Sequence, residues 1–380
     1  MKGAPRTAFH PGELWTDTSG RRIRAHGASV IFVAETQRYY WYGAHGYRQP
    51  NGTDFQHTLP NRRINVYSSK DLYNWSPHSS PAFVMPCGSL GRSSEGCYVD
   101  RPKVIPAAAL NGYIMWLKAT PFVAVATADS PLGPFRLLSR WRPGDQMAIG
   151  DIGTFVDPRS LHAYLIYSVK PSSPSERRVV RVSQMTNDRV NLSDAGRAAS
   201  SSTIPFAREA PALFFDSAQH RYLAWTSRPS GWRANAAELF STDDLLHGRW
   251  TSEGNPTRSS TSFNSQAACI LPLPINSTQR SAGQRFLYVA DRCVVLRPPC
   301  TSSSLPSPLL LTIASATCRF DPFINTSESG RYVWLPLTLE EGSSVRRAAA
   351  AVRWRGSWRL TDQRAWQGMG DAAHEVVDSR

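Results

Sequence analysis

Short apolar and aromatic runs separated by turn residues dominate the chain, and helical periodicity is nearly absent. Runs of roughly four to eight residues that are rich in β-branched and aromatic side chains, bounded by Gly, Pro, Ser, Asn and Asp, are typical of β-strands. The hydrophobic pattern therefore predicts an all-β protein.

One unit recurs loosely along the chain: an apolar strand, an aromatic strand, a Ser/Asp turn and a closing aromatic residue. The aromatic strands are Tyr39–Gly43, Tyr113–Leu117, His162–Ser168, Tyr222–Trp225 and Phe286–Ala290. Units of very roughly 50–75 residues suit the blades of a propeller, because stacking around an axis buries both faces of each blade. We predict one five-bladed β-propeller domain with blades near 21–80, 98–142, 151–195, 208–252 and 264–360. A β-sandwich is the alternative, but it does not explain the recurring turn.

A single polar residue opens each apolar strand and is followed by a two-residue spacer. These residues are His26, Asp100, Asp151, Glu209 and Gln266. Since the innermost strands of a propeller line its axis, equivalent positions on five blades should converge on one pocket.

Carboxylates that converge repel one another, so their pKa values separate. One can then stay protonated as an acid while another stays ionised, which is the division of labour that glycoside hydrolysis requires. For any one of these residues, a hydrogen-bonded side chain at a strand end is an adequate explanation. The shared register of all five favours an active site.

The net charge of +14, from 43 Lys and Arg against 29 Asp and Glu, favours an anionic partner in principle. The basic residues are scattered, however, in short groups such as Arg346–Arg347. We therefore expect no nucleic-acid partner. No apolar run approaches the roughly 18 residues of a membrane span, so we expect no membrane insertion either.

The N-terminal residues Met1–Thr7 contain no apolar core of a signal peptide, whereas five glycosylation triplets occur, at Asn51, Asn74, Asn191, Asn276 and Asn325. We expect a secreted protein whose leader is not in this sequence. The cysteines fit no zinc pattern. Cys87 and Cys97 could close a short loop, Cys269 could be a buried free thiol, and Cys293, Cys300 and Cys318 frame a Ser/Pro-rich stretch that looks inserted, 293–318.

The motifs in order resemble glycoside hydrolase family 43, and specifically its exo-β-1,3-galactanase branch. The matching stretches are Ala25–Gly27, Tyr39–Gly43, Val66–Trp75, Asp100–Val104, Ile114–Trp116, Ser130–Phe135, Asp151–Asp157, Glu209–Pro211, Gly231–Trp232 with Asn235, and Asn264–Gln266. Tyr332–Leu337 extends the match toward residue 360.

The resemblance implies an inverting hydrolase that acts from the non-reducing end of β-1,3-galactan, the backbone of arabinogalactan-protein glycans. It implies that Glu209 is the general acid and that Asp151 tunes the pKa of Glu209 and orients the substrate. Gln266 occupies the position of the usual aspartate base, with Asp100 nearby. Asp100 is one methylene shorter than the glutamate of the family pattern. Two assignments of the base remain open. Either Gln266 positions the water with support from Asp100, or Asp100 is the sole base.

Six residues are candidates for substrate binding: Trp232, Asn235, Tyr47, Tyr98, His26 and Arg101. The rings of Trp232, Tyr47 and Tyr98 are expected to stack on galactose rings, with packing between blades as the alternative. Related propellers often hold an axial divalent ion, and His26 would be the residue nearest to a calcium ion, although no metal is required. We expect a monomer without an accessory sugar-binding domain. A catalytically silent sugar-binding propeller, or the same fold acting on arabinan or xylan, are the alternative functions.

Overall fold

The computed structural model describes residues 5–45, 62–86, 97–142, 148–170, 177–193, 202–230, 233–274, 284–293, 331–339, 350–362 and 366. It is nearly all β, with five antiparallel sheets arranged around a common axis. The predicted five-bladed β-propeller is confirmed. Within the described ranges, no helix is long and apolar enough to cross a membrane.

Each sheet is one blade, and its first four strands follow one another in chain order from the axis outward; the fifth strand of blade one pairs with the third. Blade one contains β1 (His26–Val33), β2 (Arg38–Ala44), β3 (Arg63–Ser69), β4 (Ser76–Pro77) and β5 (Phe83–Val84). Blade two contains β6 (Asp100–Ala107), β7 (Gly112–Ala119), β8 (Phe122–Ala128) and β9 (Arg136–Trp141), with a short 3-10 turn at Ala108–Leu110. Blade three contains β10 (Ala148–Val156), β11 (Ala163–Lys170), β12 (Val179–Gln184) and β13 (Ser202–Ile204).

Blade four contains β14 (Glu209–Asp216), β15 (Arg221–Ser227), β16 (Glu238–Thr242) and β17 (Thr251–Gly254). Blade five contains β18 (Ser265–Pro272), β19 (Phe286–Arg292), β20 (Tyr332–Leu339) and β21 (Ala350–Val352). Blade three extends to Ile204, beyond the predicted end at residue 195, because its outermost strand has only three residues and gives no periodic signal.

The recurring aromatic strand is the second strand of each blade, and its central ring is fully buried. These rings are Trp41, Trp116, Tyr167, Trp225 and Tyr288. They help to fill the apolar layers between neighbouring sheets. The sequence repeat thus reflects the need of each blade to cover both of its faces with its neighbours.

The N-terminal segment closes the ring by pairing with blade five before it enters blade one. Phe9 exchanges two backbone hydrogen bonds with Trp358, of 2.8 and 3.2 Å. The Gly12 amide donates to the Tyr332 carbonyl at 2.7 Å, and Leu14 forms an isolated bridge with Arg331. The first and last blades are therefore joined by backbone pairing as well as by side-chain packing.

The cysteines are partly described. Cys97 is disulfide-bonded, and Cys87 lies outside the described residues. Cys269 and Cys293 are free thiols, as expected for Cys269, although Cys269 is half-buried and not fully buried. Of the stretch 293–318 that looks inserted, only Cys293 is described.

Candidate active site

The five polar residues that open the apolar strands lie at one end of the propeller axis, as the register predicted. Each belongs to an innermost strand, and each of these strands carries a β-bulge or register shift at that end. Bulges are common beside active sites because they re-aim a side chain locally. The residues are His26, Asp100, Asp151, Glu209 and Gln266.

The backbone is also strained at this end of the axis. The residue after the site residue has a positive φ in three blades: Gly27 at 68°, Arg101 at 48° and Ala210 at 49°. For a residue with a side chain this conformation costs on the order of 1–3 kcal/mol, and it clusters at functional sites. Gly27 is required for two reasons: its φ is positive, and a Cβ there would lie 2.8 Å from a carboxylate oxygen of Asp100.

Glu209 begins β14 and has two side-chain partners. The Arg178 guanidinium donates to its Oε2 at 3.0 Å, and Gln266 Nε2 donates to its Oε1 at 3.1 Å. Burial, and then the charge of Asp151, raise the pKa of Glu209 to about 7. These two effects outweigh Arg178, which acts in the opposite direction.

Asp151 lies beside Glu209 but has the opposite protonation preference. Its Oδ1 accepts from Lys118 Nζ at 2.8 Å, and its Oδ2 accepts from the Ala210 amide at 3.2 Å and pairs with Arg101 at 3.4 Å. Burial alone would raise the pKa of Asp151, but Arg101 and Lys118 hold it well below its usual range. Asp151 is therefore a fixed negative charge that favours the protonated form of Glu209.

Both ends of the Gln266 amide are occupied. Its Oε1 accepts a short hydrogen bond from Arg101, and its Nε2 donates to the hydroxyl of Ser227 at 2.9 Å as well as to Glu209. The amide orientation follows from this network, because only the oxygen can accept from a guanidinium. Gln266 thus connects the candidate acid to Arg101.

Asp100 is held at both of its oxygens. Oδ1 accepts from the Arg101 backbone amide at 2.7 Å and faces His26 Nδ1 at 3.3 Å, while Oδ2 accepts from the Tyr98 hydroxyl at 3.3 Å. Burial opposes ionisation here too, but His26, Lys118 and Arg101 lower the pKa of Asp100 below its usual range. Asp100 is therefore ionised in the pocket.

The candidate substrate-contact residues have different positions. His26, Tyr98 and Arg101 lie in the pocket and bond to its carboxylates or its amide. Asn235 instead organises its own loop: its Oδ1 accepts from the Arg228 amide and its Nδ2 donates to the Arg228 carbonyl, both at 2.9 Å. Trp232 and Tyr47 lie outside the described residues, so their stacking roles stay predictions.

Several pocket residues were missed by the sequence reasoning, and a simple register rule finds three of them. On the second strand, Lys118 is paired with Asp100, Ser227 with Glu209, and Asp291 with Gln266. A polar residue that ends an aromatic strand is the usable signal. Arg178 and Lys103, also missed, carry no comparable signal.

The Lys103 ammonium, from the innermost strand of blade two, lies among backbone carbonyls of blades one and five. Its Nζ donates to the carbonyls of Gly27 at 3.0 Å, Ala28 at 2.7 Å and Ala268 at 3.0 Å. Carbonyl oxygens of this kind are what calcium prefers. Among the described residues, no group of three His, Cys, Asp or Glu side chains could hold a metal ion. The calcium ion stays a prediction and takes no part in the chemistry below.

Solved structures with the same architecture cover nearly the whole chain. A family 43 β-1,3-galactosidase with galactodeoxynojirimycin is 25% identical, with a TM-score of 0.69, over 93% of this chain and 100% of the other. The exo-β-1,3-galactanase from Phanerochaete chrysosporium with β-1,3-galactotriose is 25% identical, with a TM-score of 0.68, over 96% of this chain and 70% of the other.

An exo-β-1,3-galactanase from Clostridium thermocellum is 22% identical, with a TM-score of 0.65, over 95% of this chain and 68% of the other, and supports the fold alone. No protein-family model and no curated protein matches the sequence. The structural matches confirm the predicted resemblance to the exo-β-1,3-galactanase branch of family 43, and with it the enzyme class, a glycoside hydrolase.

Proposed function

We propose that this glycoside hydrolase is an inverting, exo-acting enzyme that releases galactose from the non-reducing end of β-1,3-galactan, the backbone of arabinogalactan-protein glycans. The observation that carries the proposal is the contrast between two neighbouring carboxyl groups. The pKa of Glu209 is raised to about 7, whereas that of Asp151 is held well below its usual range. Glycoside hydrolysis needs a carboxyl group that keeps its proton near neutral pH, and the ionised Asp151 favours that proton on Glu209.

Glu209 is the proton donor to the glycosidic oxygen as the bond to the leaving sugar breaks. Burial supplies the protonated form near neutral pH, and Asp151 keeps that proton from being lost early. Arg101 and Lys118 hold Asp151 ionised and immobile, so the charge beside the acid does not change during turnover.

Water must be activated on the sugar face opposite Glu209, and an inverting enzyme leaves roughly 6.5–9.5 Å between its two groups for that water. We assign the positioning of this water to Gln266, with Asp100 in support. Gln266 contacts Glu209 at 3.1 Å, and a bound sugar must replace that contact to admit the water. The cations around Asp100 make it a weak proton acceptor on its own.

Proton uptake by Gln266 requires the imidic-acid tautomer, in which the amide nitrogen accepts and the oxygen carries a proton. The Arg101 guanidinium donates to that oxygen and must release it for this tautomer to form. Asp151, which already pairs with Arg101 at 3.4 Å, is the group toward which Arg101 can turn.

The test is sugar release by the purified protein from β-1,3-galactan, with arabinan and xylan as parallel substrates. Release of galactose from galactan alone is expected, and NMR of the first product should show the α-anomer, since inversion converts the β-linkage. Release of arabinose or xylose would favour the other substrates on the same fold. Binding without release would favour a sugar-binding propeller, a function that does not need the perturbed carboxyl of Glu209.

A further inference from the structure

Asp291 is a buried carboxylate in the pocket that the proposed chemistry does not use. It lies near the end of β19, opposite Gln266 in the strand register, and its side chain is 5% exposed. Its Oδ2 accepts from the Gly27 amide at 2.9 Å, while its Oδ1 has no hydrogen-bond partner. A buried carboxylate with one oxygen that accepts no hydrogen bond lowers the stability of the folded protein, which suggests that Asp291 has a role in function.

The nearest charged partner of Asp291 is the ring of His26. His26 Nε2 lies 3.6 Å from Asp291 Oδ2, and His26 Nδ1 lies 3.3 Å from Asp100 Oδ1. Both ring nitrogens of this buried histidine therefore face carboxylates. The three side chains form a continuous chain from blade five through blade one to blade two.

We propose that His26 and Asp291 are positioning residues for Asp100: Asp291 fixes the ring of His26, and His26 fixes the Asp100 carboxylate in the orientation in which it supports the attacking water. The proposal rests on the proposed hydrolysis and extends it. His26 is therefore assigned to the water-activating side of the site and not to a direct contact with the sugar.

Charge balance supports this chain. An imidazolium between two carboxylates is favourable, and burial of His26 is outweighed by Asp291 and Asp100, so the pKa of His26 is raised. The charge of Arg101 opposes this rise. Lys118 near Asp100, and Lys103 near Asp100 and Asp291, are further charged groups among the described residues. Asp291→Asn would remove one of the negative charges that raise the pKa of His26, and would therefore weaken the contact between His26 and Asp100.

The short side chain of Asp100 explains why its carboxylate depends on neighbouring side chains. An aspartate has a single methylene, so the position of its carboxylate depends on the groups that bond to it. Its two side-chain anchors are His26 and Tyr98, each at 3.3 Å. Removal of Asp291 should misplace Asp100 without removing any sugar contact.

The experiment compares Asp291→Asn with the wild type on β-1,3-galactotriose. We expect kcat to fall by about tenfold to a hundredfold with KM unchanged, as is usual when a residue that orients a reacting group is removed. Azide attacks without a base, so it should restore part of the turnover and give galactosyl azide, and it should do the same for Asp100→Asn. His26→Gln should behave like Asp291→Asn.

Asp216→Asn is the matched control, because Asp216 is a fully buried carboxylate at the far end of β14 and closes a turn. It should lower the melting temperature without any response to azide. Wild-type kcat in Asp291→Asn, or a loss that azide does not relieve while it relieves Asp100→Asn, would overturn the positioning role. Failure of the proposed function itself would appear differently, as wild-type protein that releases no galactose.

Discussion

The pocket end of the propeller axis and the seam between blades five and one are both buried, but they are built from opposite kinds of residue. At the seam, Trp334 packs against Trp15 and Trp41 with ring centroids 5.2 and 4.8 Å apart. In the pocket, Glu209 and Asp151 lie among cations, on bulged strands.

The difference separates stability from chemistry. Each buried aromatic ring removes roughly 150–250 Å² from water and stabilises the closed ring. Buried charges do the reverse, since their desolvation can exceed their mutual attraction. Changes at the seam should therefore affect unfolding more than turnover, and changes in the pocket should affect turnover more than unfolding.

Glu209→Gln should give the largest effect on turnover. Loss of the proton donor should lower kcat by about 10²–10⁴-fold, the usual contribution of general acid catalysis. Sugar binding should be nearly unchanged. Kinetics on galactan oligosaccharides check this, with Glu253→Gln, on the outermost strand of the same blade, as the control. Near-normal turnover would contradict the acid role of Glu209.

Trp334→Ala tests the other region. The cavity left by this ring should cost about 3–5 kcal/mol of the free energy of unfolding, measured in urea, because the surrounding aromatic side chains cannot collapse to fill it. Turnover per folded molecule should be unchanged. Trp334→Phe, a smaller change, keeps the measurement possible if the alanine variant does not fold. A loss of kcat without a loss of stability would break the comparison between seam and pocket.

Gln266→Ala and Asp100→Asn sharpen the comparison within the pocket itself. If Gln266 positions the water, its removal should lower kcat, and azide should restore part of the turnover. Asp100→Asn should show the smaller loss. If Asp100→Asn is inactive and is rescued by azide while Gln266→Ala stays active, Asp100 is the sole base.

The pH dependence follows from the raised pKa of Glu209. Because the acid form is needed, kcat/KM should fall about tenfold per pH unit above about 7. The folded pKa lies above the unfolded one, so the stability from this group is full below about 4.5 and is lost as the pH rises through about 7. The Glu209→Gln variant should therefore gain stability relative to wild type over that range, which paired urea titrations measure.

Trp232→Ala should have the smallest effect. If this ring stacks on a galactose face, its loss should raise KM by a factor of about five, which corresponds to about 1 kcal/mol. Unchanged KM would mean that the ring packs against protein. Trp141→Ala, in the outer strand of blade two, is the control for loss of a tryptophan away from the pocket.

The fold was predictable because it depends on a repeat. Each blade needs an aromatic second strand to fill the layer between sheets. Rings such as Trp41 and Trp225 therefore recur at that position although the loops differ in length and sequence. The polar opening residues were predictable for the same reason, since Asp100 and Glu209 hold the same register. Blade three was the weakest prediction, because the short β13 carries no periodic pattern.

By itself the sequence determined the all-β class, the number of blades and the five side chains that meet on the axis, since all of these follow from spacing along one strand or one repeat. Only the tertiary structure decided which carboxyl group has a raised pKa and which a lowered one. Glu209 and Asp151 are both carboxylates at the head of an apolar strand, and they differ because Arg101 and Lys118 face one while burial dominates the other. The protonation of these two carboxyl groups depends on distances between blades and on the exclusion of water. Neither can be predicted from the residue spacing along a single strand.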